Sequence, residues 1–153
     1  MDKAKIHYLT PVGKEKMEAD MAQLRVERPA VLALLNHARA QGDLKENGAY
    51  QAAREKLTNM DRHIVKMELI LRNSKVVEKN TNGVVSLGNT VSIKAGSFKQ
   101  TFQIVGENEV DIKNKKISEK SPLGKCLIGK KKGDTAQLVT PVGKTVYTIM
   151  EVS

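Results

Sequence analysis

Two carboxylates, Asp43 and Glu46, stand three residues apart in the stretch Gly42-Asp43-Leu44-Lys45-Glu46-Asn47, and that spacing permits two chemistries. As N-cap and third residue of a helix they would form a capping box, each side chain satisfying a free backbone N–H. As two acidic groups projecting from one end of a helix they could lend oxygens to a Mg²⁺ that other groups hold, since this ion commonly takes one or two carboxylates and keeps several waters. Two carboxylates alone make a poor metal cage, so the second reading needs a partner that supplies the other ligands. Lys45 lies between them, and Arg39 and Arg54 flank the stretch. All three are candidate phosphate contacts, with an ordinary solvated helix face as the alternative. His7, His37 and His63 are dispersed without a ligand partner at helical spacing, and Cys126 is the lone cysteine. Neither a zinc site nor an internal disulfide is indicated, and Cys126 is expected to be a buried structural residue in a reducing, cytoplasmic setting.

The segments on either side must position this stretch. Before it, Met17, Met21, Leu24, Val31, Leu35 and Ala38 fall on steps of four and three, with Arg28 interrupting the apolar series; after it, Tyr50, Ala53, Leu57, Met60, Ile64, Met67 and Leu71 repeat the same rhythm. Two seams of similar length joined at Gly42 predict an antiparallel coiled-coil hairpin with the acidic stretch at its tip. Thr10-Pro11 supplies a cap and a first helical residue. Gly42 suits the left-handed position after a helix, Asp43 suits the cap of the next, and that second helix is expected to run to about Asn73. A helix from Pro11 to Gln41 would hold the tip on the order of 40 Å from its other end. Pro29 predicts a kink or local loosening near Arg25 to Pro29.

From Lys75 to Gly88 the heptads stop, and the composition suggests a linker or a short first strand. β-branched runs at Thr90–Lys94, Thr101–Val105, Ala136–Thr140 and Val146–Val152, separated by glycine-containing turns, predict an antiparallel sheet. Ser121-Pro122 opens a short helix through Ile128 that Gly129 can end. The chain is therefore α+β, with a coiled-coil domain over residues 1–75 and a compact sheet domain over 76–153. Lys130-Lys131-Lys132-Gly133-Asp134 is either a basic docking patch or a solvated loop, the loop being the simpler reading.

The 153 residues carry a net charge of +9, which points to a polyanionic partner such as nucleic acid or a nucleoprotein machine. The charge is divided almost evenly, +4 and +5 for the two halves, so there is no basic tail. Three Tyr, two Phe and no Trp argue against a stacking platform for single-stranded nucleic acid. The longest apolar run, Ala30 to Leu35, is too short to span a bilayer, and a soluble protein without membrane contact is expected.

Taken in order, Tyr8-Leu9-Thr10-Pro11-x-Gly13, Arg28-Pro29, Gly42 through Asn47, Tyr50-x-Ala52-Ala53-Arg54-Glu55, and Ser121-Pro122 through Leu127-Ile128-Gly129 resemble the bacterial Gre transcript-cleavage factors, the GreA branch more than GreB, over nearly the whole chain. The resemblance implies an FKBP-like second domain that docks on the rim of the secondary channel of RNA polymerase, with Ser121, Pro122, Leu123 and Gly124 as docking residues, and a hairpin that enters the channel. It assigns Asp43 and Glu46 the catalytic and metal-ligating role: they would help hold a Mg²⁺ of the polymerase, the chain having no cofactor of its own, so that the polymerase cleaves its own backtracked nascent RNA. The protein would then be an accessory factor rather than an enzyme, and a monomer. In one respect the chain departs from the family pattern: Ala49 stands where a further acidic residue is common, and Gly48 loosens the first helical turn.

Three other readings compete. A secondary-channel regulator or inhibitor without cleavage stimulation is kept open by Ala49. A peptidyl-prolyl isomerase, suggested only by the implied FKBP-like fold, would need an aromatic pocket, whereas residues 80–153 hold only Phe98, Phe102 and Tyr147. A purely structural coiled-coil adaptor would be indifferent to the chemistry of the tip.

Overall fold

The heptad seams fold as two antiparallel helices, α1 (Pro11–Ala40) and α2 (Gly48–Arg72), in a computed structural model that describes residues 5–42 and 46–153. The shielded stripe of α1 is the predicted one: Met17, Met21, Leu24, Arg28 and Leu35 are half-buried, Val31 and Ala38 buried. On α2 the stripe runs through Ala53, Leu57, Met60, Ile64 and Met67, but in its last turn Ile70 is buried and Leu71 only half-buried. A helix of 3.6 residues per turn drifts against a strict heptad, and over three heptads the drift moves the stripe by part of a residue step.

The polar interruption in the α1 seam is matched across the hairpin. Arg28 donates from Nε to Asp61 Oδ1 at 2.7 Å and from Nη2 to Oδ2 at 3.1 Å, a fork-to-fork pair. One turn along, Arg25 pairs with Glu68. Exposed pairs of this kind contribute little net stability. Burial of Val31, Met60 and Ile64 therefore dominates, at about 1.5–3 kcal/mol for a fully buried side chain of this size. Helix α1 continues through Pro29, whose ring removes the backbone bond that the Arg25 carbonyl would otherwise accept.

The remaining strands form a separate unit. Ser74–Ser153 packs together with the segment ending at Gly13, while Lys14–Asn73 forms the helical unit. The N-terminal segment thus joins the sheet unit, although the loss of heptad pattern alone places a single boundary near residue 75. The cause is a parallel two-stranded sheet: β1 (His7–Leu9) pairs with β2 (Ser74–Val76), Val77 N–H donates to the Leu9 carbonyl at 2.9 Å, and Leu9 is fully buried.

The main sheet has five strands in the order β5-β4-β3-β7-β6, with β3 (Thr90–Ala95), β4 (Phe98–Val105), β5 (Lys116–Ser118), β6 (Thr135–Thr140) and β7 (Gly143–Val152). It is mixed rather than wholly antiparallel. After β4 the chain makes a 3₁₀ turn at Glu107–Glu109 and doubles back at Asp111, so that three residues run alongside β4 in its own direction. Helix α3 (Pro122–Leu127) covers one face, where Val91, Ile93, Ile104, Leu127, Ala136 and Ile149 make the core. Of the two readings of Lys75 to Gly88, the short first strand is present as β2 at its start, and the rest is anchored rather than a free linker: Val85 and Leu87 are buried. Buried Asn89 accepts from Ser86 N–H and donates to the Asn80 and Ser153 carbonyls. Cys126 is half-buried rather than buried, its thiol donating to the Gln137 carbonyl.

Two outcomes are expected. A Cβ at Gly106 would overlap the backbone carbonyl of Tyr8, and a carbonyl in a paired strand cannot swing away. Gly106→Ala should therefore lower stability by about 1–3 kcal/mol in chemical denaturation, whereas Gly96→Asn, at a left-handed turn position with open space around it, should be tolerated. The Arg28 hydrogen bonds, and secondarily its charge, hold the Asp61 carboxyl below its ordinary value against the opposing effect of desolvation. A depressed folded-state pKa means stabilisation that is present above the ordinary carboxylate value and lost as pH falls through the folded one. Asp61→Asn should remove that part of the acid-limb decline in helical thermal melts, and an unchanged acid limb would show that the pair contributes nothing there.

Candidate functional site

Helix α1 ends at Ala40, the Gln41 N–H donates to the Ala38 carbonyl at 3.2 Å, and Gly42 has φ of 138°, the positive value expected of a glycine that turns the chain after a helix. The predicted site residues Asp43 and Lys45 lie outside the described residues. Helix α2 begins later than Asp43 would allow. Its N-cap is Asn47, whose Oδ1 accepts from Tyr50 N–H at 3.1 Å. Glu46 therefore sits one residue ahead of the cap, in a turn, and not at the third helical position. The capping-box reading of Asp43 and Glu46 does not hold.

Asn and Asp rank together as caps, and a second bond explains why Asn47 takes the position. Its Nδ2 donates to the Ala38 carbonyl at 2.7 Å. A carboxylate has no proton to give there, whereas the amide of Asn47 donates to one helix end and accepts from the other with one side chain. The motif contained this residue, but spacing gave it no role; the available signal was an Asn directly before a Gly-Ala-Tyr helix start.

The functional consequence falls on Glu46. Its side chain is exposed, and no described hydrogen bond or ion pair engages it. Arg39, in the last turn of α1, and Arg54, in the second turn of α2, are likewise exposed and without a described acidic partner. Among the described residues, the geometry thus leaves a carboxylate at the turn and guanidinium groups on the two helices without ionic partners. No group of three or more His, Cys, Asp or Glu among the described residues could hold a metal ion.

The second predicted cluster is divided by the structure. Ser121 caps α3, accepting from Gly124 N–H at 3.0 Å and donating to the Ser118 carbonyl at 2.7 Å. Gly124 is buried, and a Cβ there would meet the Ser118 carbonyl. Leu123 packs against the core. Pro122 is exposed, as are its neighbours Lys120 and Lys125. Three of the four residues thus have roles within the fold, and Pro122 presents itself outward. Lys120 is tied to Glu107 at 3.1 Å, which also meets Lys5 at 2.9 Å; bonds from these two lysines hold the Glu107 carboxyl below its ordinary value.

Comparison with known proteins covers nearly all of the chain. Residues 7–76 match the family model described as "Transcription elongation factor, N-terminal", and residues 80–153 match "Transcription elongation factor, GreA/GreB, C-term". The chain is 41% identical over 150 residues to the transcription elongation factor GreA of Francisella tularensis subsp. novicida, covering 94% of each. Among solved structures it is similar to the GreA factor homolog 1 (Gfh1) of Thermus thermophilus, at 24% identity and a TM-score of 0.46 over 97% of this chain and 99% of that one. It is also similar to a GreA/GreB elongation factor of Nitrosomonas europaea, at 26% identity and a TM-score of 0.43 over 59% and 78%.

The double role of Asn47 is separable by substitution. Asn47→Ala should cost about 0.5–2 kcal/mol through the lost cap, read from thermal unfolding of the helical signal. Asn47→Asp keeps an acceptor for Tyr50 but places a carboxylate against the Ala38 carbonyl, and should also fall below wild type. An Asn47→Asp protein as stable as wild type would show that the bond to Ala38 carries no weight.

Proposed function

The chain belongs to the GreA/GreB family of transcription elongation factors, and on that premise we propose that it acts on bacterial RNA polymerase, entering the secondary channel with the helical hairpin and stimulating the polymerase's own cleavage of backtracked nascent RNA. It is an accessory factor rather than an enzyme, and its partners are the polymerase and the RNA held there. The observation that supports this reading most directly is the position of Glu46, an exposed carboxylate ahead of the α2 cap with no described partner of its own.

A Mg²⁺ in the polymerase active centre, when bound, supplies charge stabilisation and a water of lowered pKa for hydrolysis. One or two carboxylates suit a supplementary role towards such an ion, which commonly keeps several waters and takes its other ligands elsewhere. Glu46, with Asp43, presents anionic oxygens at the tip. Arg39, Lys45 and Arg54 offer positive charge to the RNA phosphates. Pro122, raised on the capped first turn of α3, and the flanking Lys120 and Lys125 form the docking surface that Ser121, Leu123 and Gly124 shape from beneath. The protein would meet polymerase in the cytoplasm as a monomer, and no helix among the described residues is long and apolar enough to cross a membrane. A regulator that occupies the channel without stimulating cleavage is the second reading. Ala49, exposed in the first turn of α2, favours it by removing one anionic group from the tip.

Because Asn47 caps α2, substitutions of the tip carboxylates can be read without a stability effect from capping. Asp43→Asn and Glu46→Gln should each fold with near-wild-type melting and still compete for polymerase. Stimulated release of short 3′ RNA from backtracked complexes should fall by on the order of 10²-fold, comparable to losing one strong electrostatic interaction in a transition state. Raised Mg²⁺ should partly restore it. Full cleavage by the folded variants at low Mg²⁺ would contradict the metal-ligand role, and polymerase binding without any stimulation by wild type would favour the regulator.

A further inference from the structure

On the face of the main sheet opposite α3, two lysines stand directly across from one another. Lys94 of β3 is registered against Lys99 of β4, and both are exposed. Like charges at directly opposed positions work against strand pairing, and among the described residues no carboxylate forms an ion pair with either lysine. A neutral residue at either position would pair better within the sheet, although Lys99 also lies on the part of β4 that β5 does not cover, where a lysine guards an open edge.

The surroundings have the same character. Alternation along the strands puts Ser92 and Thr101 beside the lysines on that face, joined hydroxyl to hydroxyl at 2.9 Å. On the other side Lys94 is registered against Thr148 of β7, and Thr148 in turn against Thr135 of β6. Further along β7 on the same face come exposed Val146 and Lys144. Glu151 is the acidic residue of this face, registered against Ser92, beyond the β7 irregularity and away from the lysine pair. Val139 of β6, registered against Lys144, is exposed on this face too, so the surface mixes amine and hydroxyl donors around the lysine pair with two valines towards its β6 side, and it has no aromatic ring. Phe98 and Tyr147 pair with each other, 6.4 Å between ring centres, and both fall on the face that carries the core, in phase with Phe102 and Ile149.

We propose that this outer sheet face, centred on Lys94 and Lys99, binds the phosphate backbone of duplex DNA. The pair that opposes the fold becomes favourable once a dense anion lies over it, and duplex DNA offers about one negative charge per 1.7 Å of axis. The absence of aromatic side chains excludes base stacking, which is how a sheet holds single-stranded nucleic acid. The hydroxyl donors suit phosphate oxygens, which fix position without reading sequence. This site is independent of the hairpin tip and of cleavage.

The test uses the full chain, a fluorescent 25-base-pair duplex of arbitrary sequence, and anisotropy titrations between 50 and 200 mM salt. Lys94→Gln/Lys99→Gln should melt at or above the wild-type temperature, because the repulsion is gone. Its plot of log affinity against log salt should be shallower by about two, close to 0.9 for each phosphate that is no longer neutralised. Lys113→Gln/Lys132→Gln, which removes equal charge from exposed loops, should leave most of the slope in place. The proposal is overturned if wild type does not bind the duplex at 50 mM salt, or if both double variants lose slope equally. It is also overturned if single-stranded RNA binds more tightly than duplex through these lysines, or if polyglutamate competes as well as DNA at equal charge, which would mark the face as a site for acidic protein.

Discussion

The pairing of Arg28 with Asp61 ties the two helices of the hairpin to one another at a single pair of positions. Apolar seams made of interchangeable Met, Leu and Ala tolerate sliding, because one heptad looks much like the next. A slip of one heptad towards the tip would leave Glu68 without Arg25 and bring Arg28 near Arg54. The two forked bonds of 2.7 and 3.1 Å therefore matter less for the stability they add than for the single register they permit, the use for which a polar residue in a coiled-coil seam is best attested. Asn47 completes the alignment by bonding to the end of one helix while capping the start of the other. With both in place, Glu46 is delivered to the turn with its carboxylate unspent.

The sheet unit fixes the start and finish of the hairpin by a different route. The strand before α1 and the strand after α2 are parallel neighbours, so the helical segment is an excursion between two adjacent points of one small sheet. Thr10 marks the departure. Its hydroxyl accepts from Gly13 N–H at 3.0 Å, and the Glu109 carboxylate receives both its backbone N–H and its hydroxyl proton. Gly13 and Gly106 have no side chain because Glu109 and the Tyr8 carbonyl occupy the space where one would be. Backbone donors, a carboxylate and close contacts thus converge on the residues that launch α1.

Much of this is legible in the residues themselves. The seams, the Thr10-Pro11 start, the turn at Gly42, four strands of the main sheet and the Ser121-Pro122 helix all follow from periodicity and capping chemistry, which act over a few residues. What escapes depends on partners far along the chain. The three-residue strands β1, β2 and β5 are too short to show alternation, and their parallel pairing brings together segments that local pattern cannot connect. Arg28 looks like a flaw in its seam until Asp61, 33 positions away, stands opposite it. Asp43 and Asn47 are equally good caps in isolation, and the carbonyl of Ala38 decides between them. The acidic character of the tip is plain from the residue types, whereas the freedom of Glu46 from any internal duty is visible only once Asn47 has taken the cap.

We propose that the protein lends carboxylate oxygens to a metal that polymerase holds. A Mg²⁺ titration of RNA release from one preparation of backtracked complexes, with and without saturating wild-type protein, tests it most directly. Added ligands raise the affinity of the site, so the account predicts a half-maximal Mg²⁺ concentration clearly lower with the factor than without it, together with a higher plateau. The same half-maximal concentration in both titrations, at whatever rate, would contradict it.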